Sequence, residues 1–144
     1  MPSTACRFVA EVSSNHNQDI DRCFRFIDAS ARAGCDAVKF QLFRVDDVFA
    51  PEIVARDPEI AARKEWELPL EFIPALAKRC RDAGVAFSCT PFDLDAVDQL
   101  EEHVAFYKIA SYELLWDDLL ERCAATRIPI VLSTGMATLD EVQR

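Results

Sequence analysis

The stretch AGCDAVKFQ, residues 33–41, runs from the end of a predicted helix through a glycine into a short apolar strand. Residues 83–85, AGV, repeat this junction ahead of another apolar run. Together with these two junctions, the apolar runs predict five strands, at residues 8–12, 37–41, 85–89, 106–109 and 130–133. Segments with helical spacing separate these strands. Strict alternation of strands and helices predicts an α/β fold with a parallel sheet and right-handed crossovers.

Local signals place the predicted helix ends. Asp19 and Asp93 are suited to cap helices, and Gly84 is suited to end one. Thr138 and Glu141 have the spacing of a capping box, which predicts a further helix near residue 144. Residues 43–67 are too many for a simple turn, so we expect an excursion over the strand ends.

Two architectures fit this pattern. One is an open, doubly wound five-stranded sheet, of which a flavodoxin-like binding domain is an example. The other is a (β/α)₈ TIM barrel, present here only as its first five βα units, with residues 1–144 forming the N-terminal portion of the barrel domain. A helix that begins close to the last residue favours the incomplete barrel. In an open sheet of five strands, strands one and five would also be exposed edges, which natural proteins avoid.

Composition excludes several classes of function. The net charge is −9 and the pI is about 4.7, which argues against nucleic-acid binding. No apolar run reaches the roughly 18 residues of a membrane span, and residues 1–7 do not resemble a signal peptide, so we expect a cytoplasmic protein. The six cysteines lack metal-ligand or disulfide spacing and are predicted to be small buried hydrophobes.

Two lysines lie inside apolar strands, where a charge is costly. Lys39 is followed two residues later by Gln41, which places both side chains on one side of the strand, and Lys108 repeats the pattern. Strands of a parallel sheet are covered on both faces, so these ammonium groups are predicted to meet a phosphate or a carboxylate. A buried ion pair between Lys39 and Glu11 is the structural alternative.

Other polar residues lie at the same ends of the predicted strands, where ligands bind in α/β proteins. Glu11 lies near the end of the first strand and either faces the site or is an exposed residue at the strand end. Hydroxyl and acidic groups follow the later strands, and an amide and an imidazole follow the first, where they could bind a substrate hydroxyl or order the loop. These residues are Asn15, His16, Thr90, Ser111, Glu113 and Ser133. Together they predict a site for a small phosphorylated acid.

Five segments carry a resemblance to a known family: AEVSSNHN, AVKFQLF, FSCTPFD, YKIASYEL and PIVLSTGM. In this order they resemble the N-terminal part of the sialic acid (N-acetylneuraminate) synthase family, which includes spore coat polysaccharide biosynthesis protein E. The resemblance implies a (β/α)₈ barrel followed by an antifreeze-like domain. It implies condensation of phosphoenolpyruvate with an N-acetylated hexosamine such as N-acetylmannosamine, with Mn²⁺ or Mg²⁺ as cofactor, in a homodimeric enzyme.

By motif, Glu11 matches the family's catalytic glutamate and Gln41 a sugar-contacting glutamine. Glu113 matches an acidic residue in the same pocket. The resemblance assigns phosphoenolpyruvate binding to Lys39, Thr90, Lys108, Ser111 and Ser133. It also implies that the metal-binding histidines and the antifreeze-like domain lie outside this chain, so we expect no metal site within it and no turnover by the 144 residues alone.

The sequence departs from the family at three loop positions. Ser13, Gln18 and Tyr112 stand where members of the family often have glycine, which leaves the identity of the sugar open. Two alternatives to the sialic acid synthase assignment also stay open. One is another phosphoenolpyruvate-condensing enzyme that makes a 3-deoxy-ulosonic acid, and the other is a non-catalytic fragment or scaffold.

Overall fold

A computed structural model describes residues 6–143, so most of the N-terminal segment considered for a signal peptide lies outside the described residues. Its centre is a five-stranded sheet in which every neighbouring pair of strands is parallel. The strands are β1 (Val9–Ser13), β2 (Ala37–Leu42), β3 (Ala86–Pro91), β4 (Phe106–Ile109) and β5 (Ile130–Leu132). All five predicted strands are confirmed, with small changes at their ends.

Strand order decides between the two predicted architectures. The order is β1-β2-β3-β4-β5, so each crossover moves the chain one strand further in the same direction. Right-handed crossovers in one direction place the connecting helices on one face of the sheet. A doubly wound sheet, including the flavodoxin-like type, reverses direction at a switch point and carries helices on both faces. The doubly wound alternative is therefore wrong, and the sheet corresponds to five consecutive βα units of a barrel.

Helices separate the strands as predicted. The α-helices are α1 (Ile20–Arg32), α2 (Val45–Val48), α3 (Pro51–Arg56), α4 (Pro58–Ala62), α5 (Ile73–Ala83), α6 (Leu94–Leu100), α7 (Asp117–Ala125) and α8 (Leu139–Gln143). Short 3₁₀ helices span Arg63–Trp66, Leu70–Phe72 and Ser111–Glu113. No helix within residues 6–143 combines the length and the apolar character needed to cross a membrane.

The predicted helix caps form. The Asp19 carboxylate accepts the backbone N–H of Arg22, and Asp93 accepts that of Ala96 at 2.6 Å. Gly84 ends α5 with φ +75°, a left-handed conformation that a side chain would strain. Thr138 and Glu141 form the reciprocal hydrogen bonds of a capping box at the start of α8.

Residues 43–67 form an excursion, as predicted, but a helical one. It contains α2, α3, α4 and the 3₁₀ helix Arg63–Trp66. Pro51 and Pro58 begin α3 and α4, where a missing N–H costs nothing. The excursion is tied to the loop between β1 and α1, because the Gln18 side-chain amide donates to the carbonyls of Lys64 at 3.0 Å and Glu67 at 3.1 Å.

The core lies between the sheet and the helices. Phe40 and Tyr107 point from the sheet into it and are fully buried, and the Tyr107 hydroxyl donates to the Val97 carbonyl of α6. Four cysteines share this core as free thiols. Burial raises the pKa of Cys80 and Cys89 to about 12, and that of Cys23 and Cys123 to about 11. The prediction of buried cysteines is confirmed for these four. It is wrong for Cys6, which is exposed beside the start of β1, and for Cys35, which is only half-buried in the turn between α1 and β2.

Candidate active site

The side chains of the candidate site lie on the face of the sheet that the helices leave uncovered. Tyr107 points toward α6, so its neighbour Lys108 points the opposite way, because side chains alternate along a strand. Glu11 and Lys39 are directly opposite in the register of β1 and β2, and Lys39 is opposite Ser88 in β3. Residues in register share a face, so Glu11, Lys39 and Lys108 lie on one inner face.

Lys39 makes two contacts on this face. Its ammonium lies 2.5 Å from the Oε2 atom of Glu11 and 3.3 Å from the hydroxyl of Thr90, to which it donates. The side chain of Lys39 is 8% exposed, whereas that of Glu11 is 49% exposed. The predicted ion pair therefore exists, but one partner remains in solvent. An ammonium has three N–H donors, and these contacts use two of them.

Lys108, in β4, has an environment similar to that of Lys39 in β2. Its ammonium donates to the Ser133 hydroxyl at 2.5 Å and to the Ile109 carbonyl at 2.6 Å, which again leaves one donor. Burial lowers the pKa of Lys108, and the charge of Lys39 lowers it further, while Glu11 and Glu113 act in the opposite direction. The two ammonium groups are thus close enough to repel each other, and an anion placed between them would relieve that repulsion.

Ser111 and Glu113 lie in the 3₁₀ helix that follows β4. Burial raises the pKa of Glu113, with a smaller opposing effect of Lys108. The buried Oε2 atom of Glu113 has no hydrogen-bond partner among the described residues. Ser111 lies against Gly135, where an added Cβ would be 3.5 Å from the serine hydroxyl. The structure therefore brings Ser111 close to the loop after β5 and leaves Glu113 with unused hydrogen-bonding capacity.

The loop between β1 and α1 adopts a strained conformation beside Gln41. Ser13, Asn17 and Gln18 have φ values of 53°, 51° and 52°, in the left-handed region that favours glycine. Two of the three departures from the family, Ser13 and Gln18, fall on these positions. Ser13 gains a contact in return, because its hydroxyl donates to Oε1 of Gln41 at 2.6 Å. This bond orients the Gln41 amide and leaves its NH₂ group available.

Asn15 and His16 both have hydrogen bonds that order this loop. The Asn15 amide donates to the Val12 carbonyl at 2.9 Å, and Nδ1 of His16 accepts the backbone N–H of Gln18 at 3.0 Å. His16 is fully buried, and burial lowers its pKa, while the backbone of Trp66 acts in the opposite direction. For His16 these contacts favour the loop-ordering role over a substrate contact. Asn15 is exposed on the wall of the neighbouring cavity.

A cavity of about 470 Å³ lies beside the inner face that carries Lys39, and Ser13 and Gln41 form part of its wall. One wall is the polar loop after β1, and the other is aromatic. The aromatic wall consists of Phe43, Phe49, Trp66 and Phe92, joined by Arg63. Phe43 and Phe92 meet edge to face with ring centres 5.9 Å apart. A volume of this size is typical of small-molecule sites, and the mixture of hydroxyl, amide and aromatic groups suits a sugar.

The sequence prediction missed much of this cavity. Ser13 entered the prediction only as a departure from the family pattern, and Arg63 and Phe49 did not enter it. Trp66, at the end of the 3₁₀ helix Arg63–Trp66, lines the cavity as well. The missing signal was the proximity of Gln18 to residues 64–67, which no local pattern reveals.

The described residues do not fit a resident metal. Within residues 6–143, no three side chains of histidine, cysteine, aspartate or glutamate gather closely enough to hold an ion.

The comparisons with known proteins agree with the fold and the motif order. The family model for the NeuB family matches residues 26–144. The chain is 34% identical to spore coat polysaccharide biosynthesis protein SpsE from Bacillus subtilis, covering 93% of this chain and 38% of that protein. It is 32% identical to the pseudaminic acid synthase of Helicobacter pylori, covering 95% and 44%.

A solved structure gives the same result in three dimensions. The N-acetylneuraminic acid (sialic acid) synthetase from Leptospira borgpetersenii, in complex with citrate, superposes with a TM-score of 0.86 at 29% identity. The match covers 94% of this chain and 47% of that one. The chain therefore spans less than half the length of each of these relatives.

Proposed function

Because this chain belongs to the NeuB family, we propose that it forms the phosphoenolpyruvate-binding part of a nonulosonic acid synthase. The enzyme would condense phosphoenolpyruvate with an N-acetylated hexosamine such as N-acetylmannosamine. Relatives named for the synthesis of pseudaminic and N-acetylneuraminic acids support this reaction. The name of the SpsE relative supports a role in surface or spore coat polysaccharide biosynthesis.

One observation carries the proposal: two ammonium groups share the inner face of the sheet, and each keeps an unused donor. Lys39 and Lys108 lie close enough for the charge of one to lower the pKa of the other. Phosphoenolpyruvate carries a phosphate and a carboxylate, so it offers two anionic groups to two cations. Hydroxyls of Thr90 and Ser133 already contact these ammonium groups and are placed to add hydrogen bonds to the same ligand.

The remaining residues suit the later steps of the reaction. C3 of phosphoenolpyruvate forms a bond to the aldehyde carbon of the sugar, which leaves positive character at C2. The C=O π bond of the aldehyde breaks in this step, and its oxygen takes up a proton to become a hydroxyl. Water adds to C2, and cleavage of the bond between C2 and the phosphate oxygen releases phosphate. Glu11 would stabilise the charge at C2 or accept the proton of the attacking water. Gln41, held by Ser13, would contact the sugar, and Glu113 would contribute an acidic group to the same pocket.

Further parts of the proposal concern the whole protein. By family resemblance we propose a cytoplasmic homodimer with a barrel domain and an antifreeze-like domain, using Mn²⁺ or Mg²⁺ with ligands outside residues 6–143. The metal would activate the sugar aldehyde. For the described residues themselves, the proposal is binding of phosphoenolpyruvate.

Titration of the full chain with phosphoenolpyruvate tests this proposal. We expect saturable binding by calorimetry and a rise in melting temperature. Lys39→Met and Lys108→Met should each weaken binding by at least about tenfold, since each removes a charge-assisted contact. Lys78→Met is the matched control, because Lys78 is exposed on α5 and pairs with Asp82. Absence of binding, or equal binding by all three variants, would instead favour a non-catalytic scaffold.

A further inference from the structure

Arg63 occupies an unusual position in the aromatic wall of the cavity. Its guanidinium carbon lies 5.6 Å from the ring centre of Phe49 and 5.4 Å from that of Trp66. A guanidinium is planar and carries its five N–H donors in the plane. Contacts with two aromatic rings hold the group in place while leaving in-plane donors for a ligand.

Arg63 also has no acidic partner within residues 6–143. In the described part of the chain, no carboxylate forms an ion pair with it, although the chain has 25 acidic and 16 basic residues. The next residue, Lys64, pairs with Asp46 at 2.7 Å. A half-buried guanidinium that lacks a carboxylate retains its charge for another anion.

The described residues of the cavity wall bring no carboxylate close to Arg63. Among the described residues that line the cavity, Arg63 is the one charged side chain. The others are aromatic or aliphatic, or are neutral polar groups such as Ser14, Asn15 and Asn17. An anion in this space therefore meets a fixed cation and no carboxylate on the cavity wall, despite the acidic character of the whole chain.

We propose that this cavity binds the acceptor sugar and that Arg63 recognises an acidic substituent of that sugar, a phosphate ester or a carboxylate. The inference rests on the proposed function, because the reacting aldehyde must lie near phosphoenolpyruvate beside Gln41. The rest of the sugar then extends beneath the excursion that carries Arg63. A planar guanidinium matches a phosphate or a carboxylate through two parallel hydrogen bonds, so the site selects an acidic acceptor over a neutral one.

Calorimetry of the full chain saturated with phosphoenolpyruvate tests the inference. The ligands are N-acetylmannosamine, its 6-phosphate, the corresponding uronic acid and inorganic phosphate. We expect one of the acidic sugars to bind at least about tenfold more tightly than the neutral sugar, and which of the two does so identifies the substituent. Inorganic phosphate should bind more weakly than that sugar. Raising the salt concentration should reduce the preference.

Variants separate recognition from packing. Arg63→Gln should abolish the preference for the acidic sugar and change the affinity for the neutral sugar by less than about twofold. Arg63→Lys keeps the charge and should keep part of the preference for the acidic sugar. This variant provides the test if Arg63→Gln does not fold. Arg81→Gln, at an exposed arginine of α5 outside the cavity, removes the same charge and should change nothing.

Three outcomes would overturn the inference. They are equal affinity for neutral and acidic sugars, no binding of any of the sugars, or an equal loss for all sugars in Arg63→Gln. If phosphoenolpyruvate itself does not bind to the wild-type chain, the proposed function fails at the first step. If phosphoenolpyruvate binds and the acidic preference is missing, the role of Arg63 alone is wrong.

Discussion

Lys39 and Glu11 form an ion pair, and neutralising each partner in turn should have a different result. Glu11→Gln should lower stability and keep ligand binding, whereas Lys39→Met should keep stability and weaken ligand binding. The side chain of Lys39 is 8% exposed, so Glu11→Gln leaves an almost fully buried ammonium without its carboxylate. Breaking a fully buried pair in this way costs about 3–5 kcal/mol. Because Glu11 is 49% exposed, solvent already screens the pair, and we expect a loss of about 1–3 kcal/mol.

Lys39→Met should behave differently. Methionine fills much of the same space without a charge, and the Glu11 carboxylate keeps its access to water. We therefore expect the free energy of unfolding to stay within about 1 kcal/mol of the wild type. The same variant should lose at least about half of the stabilisation by phosphoenolpyruvate. For the wild type this stabilisation is about 2.7 kcal/mol at a ligand concentration 100 times the dissociation constant, and an affinity tenfold weaker leaves about 1.4 kcal/mol.

Urea denaturation of both variants, with and without phosphoenolpyruvate, measures these four free energies. Glu11→Gln should gain at least as much as the wild type from the ligand, since an anion replaces the missing partner of Lys39. A Lys39→Met variant that is less stable than Glu11→Gln, with no effect of ligand on any protein, would show that Lys39 serves the fold and not an anion site.

Three further predictions concern the structure around the site. Burial lowers the pKa of His16 below 6.5, so the unfolded chain binds its proton first as the pH falls. The free energy of unfolding should therefore decline as the pH falls below 6.5. Urea denaturation should show that this decline, between about pH 7 and pH 5, is smaller in His16→Asn than in the wild type, and an identical decline would contradict the prediction. Gln18→Gly should be more stable than Gln18→Ala by about 1 kcal/mol, since both lose the hydrogen bonds to residues 64 and 67 but only glycine relieves the strain at φ 52°; equal urea midpoints would refute it. Tyr107→Phe should cost about 1 kcal/mol in the same assay by leaving the Val97 carbonyl without its buried donor, and an unchanged stability would mean that water replaces the hydroxyl.

Local chemistry made much of the fold predictable from sequence. Asp19, Asp93 and Gly84 cap helices through contacts with residues a few positions away, so their spacing is enough to place the helix ends. The shared face of Lys39 and Lys108 follows from the two-residue repeat of a strand together with the parallel register. Strand order distinguished the two architectures only in three dimensions, because both have the same alternation of helices and strands.

The cavity could not be predicted in this way. Its two walls belong to segments about 46 residues apart that meet through the Gln18 side chain. The helices of the excursion have four to six residues, which is too short for a periodic pattern to stand out. The positive φ angles of Ser13 and Gln18 could not be predicted from these residue types, because glycine is the residue that indicates a positive φ in a sequence.

The reactivity of the buried thiols can report local unfolding of the protein. Cys89 lies in β3, and Cys23, Cys80 and Cys123 lie in α1, α5 and α7, so these buried thiols are divided between the sheet and three different helices. A thiol with a pKa of about 11 or 12 holds almost no thiolate at neutral pH and has no path to an alkylating reagent while the core is closed. Cys6 and Cys35 are not buried, so an alkylating reagent can reach them in the folded protein. The rate at which each buried cysteine reacts therefore reports how often its own helix or strand separates from the rest, without any added label.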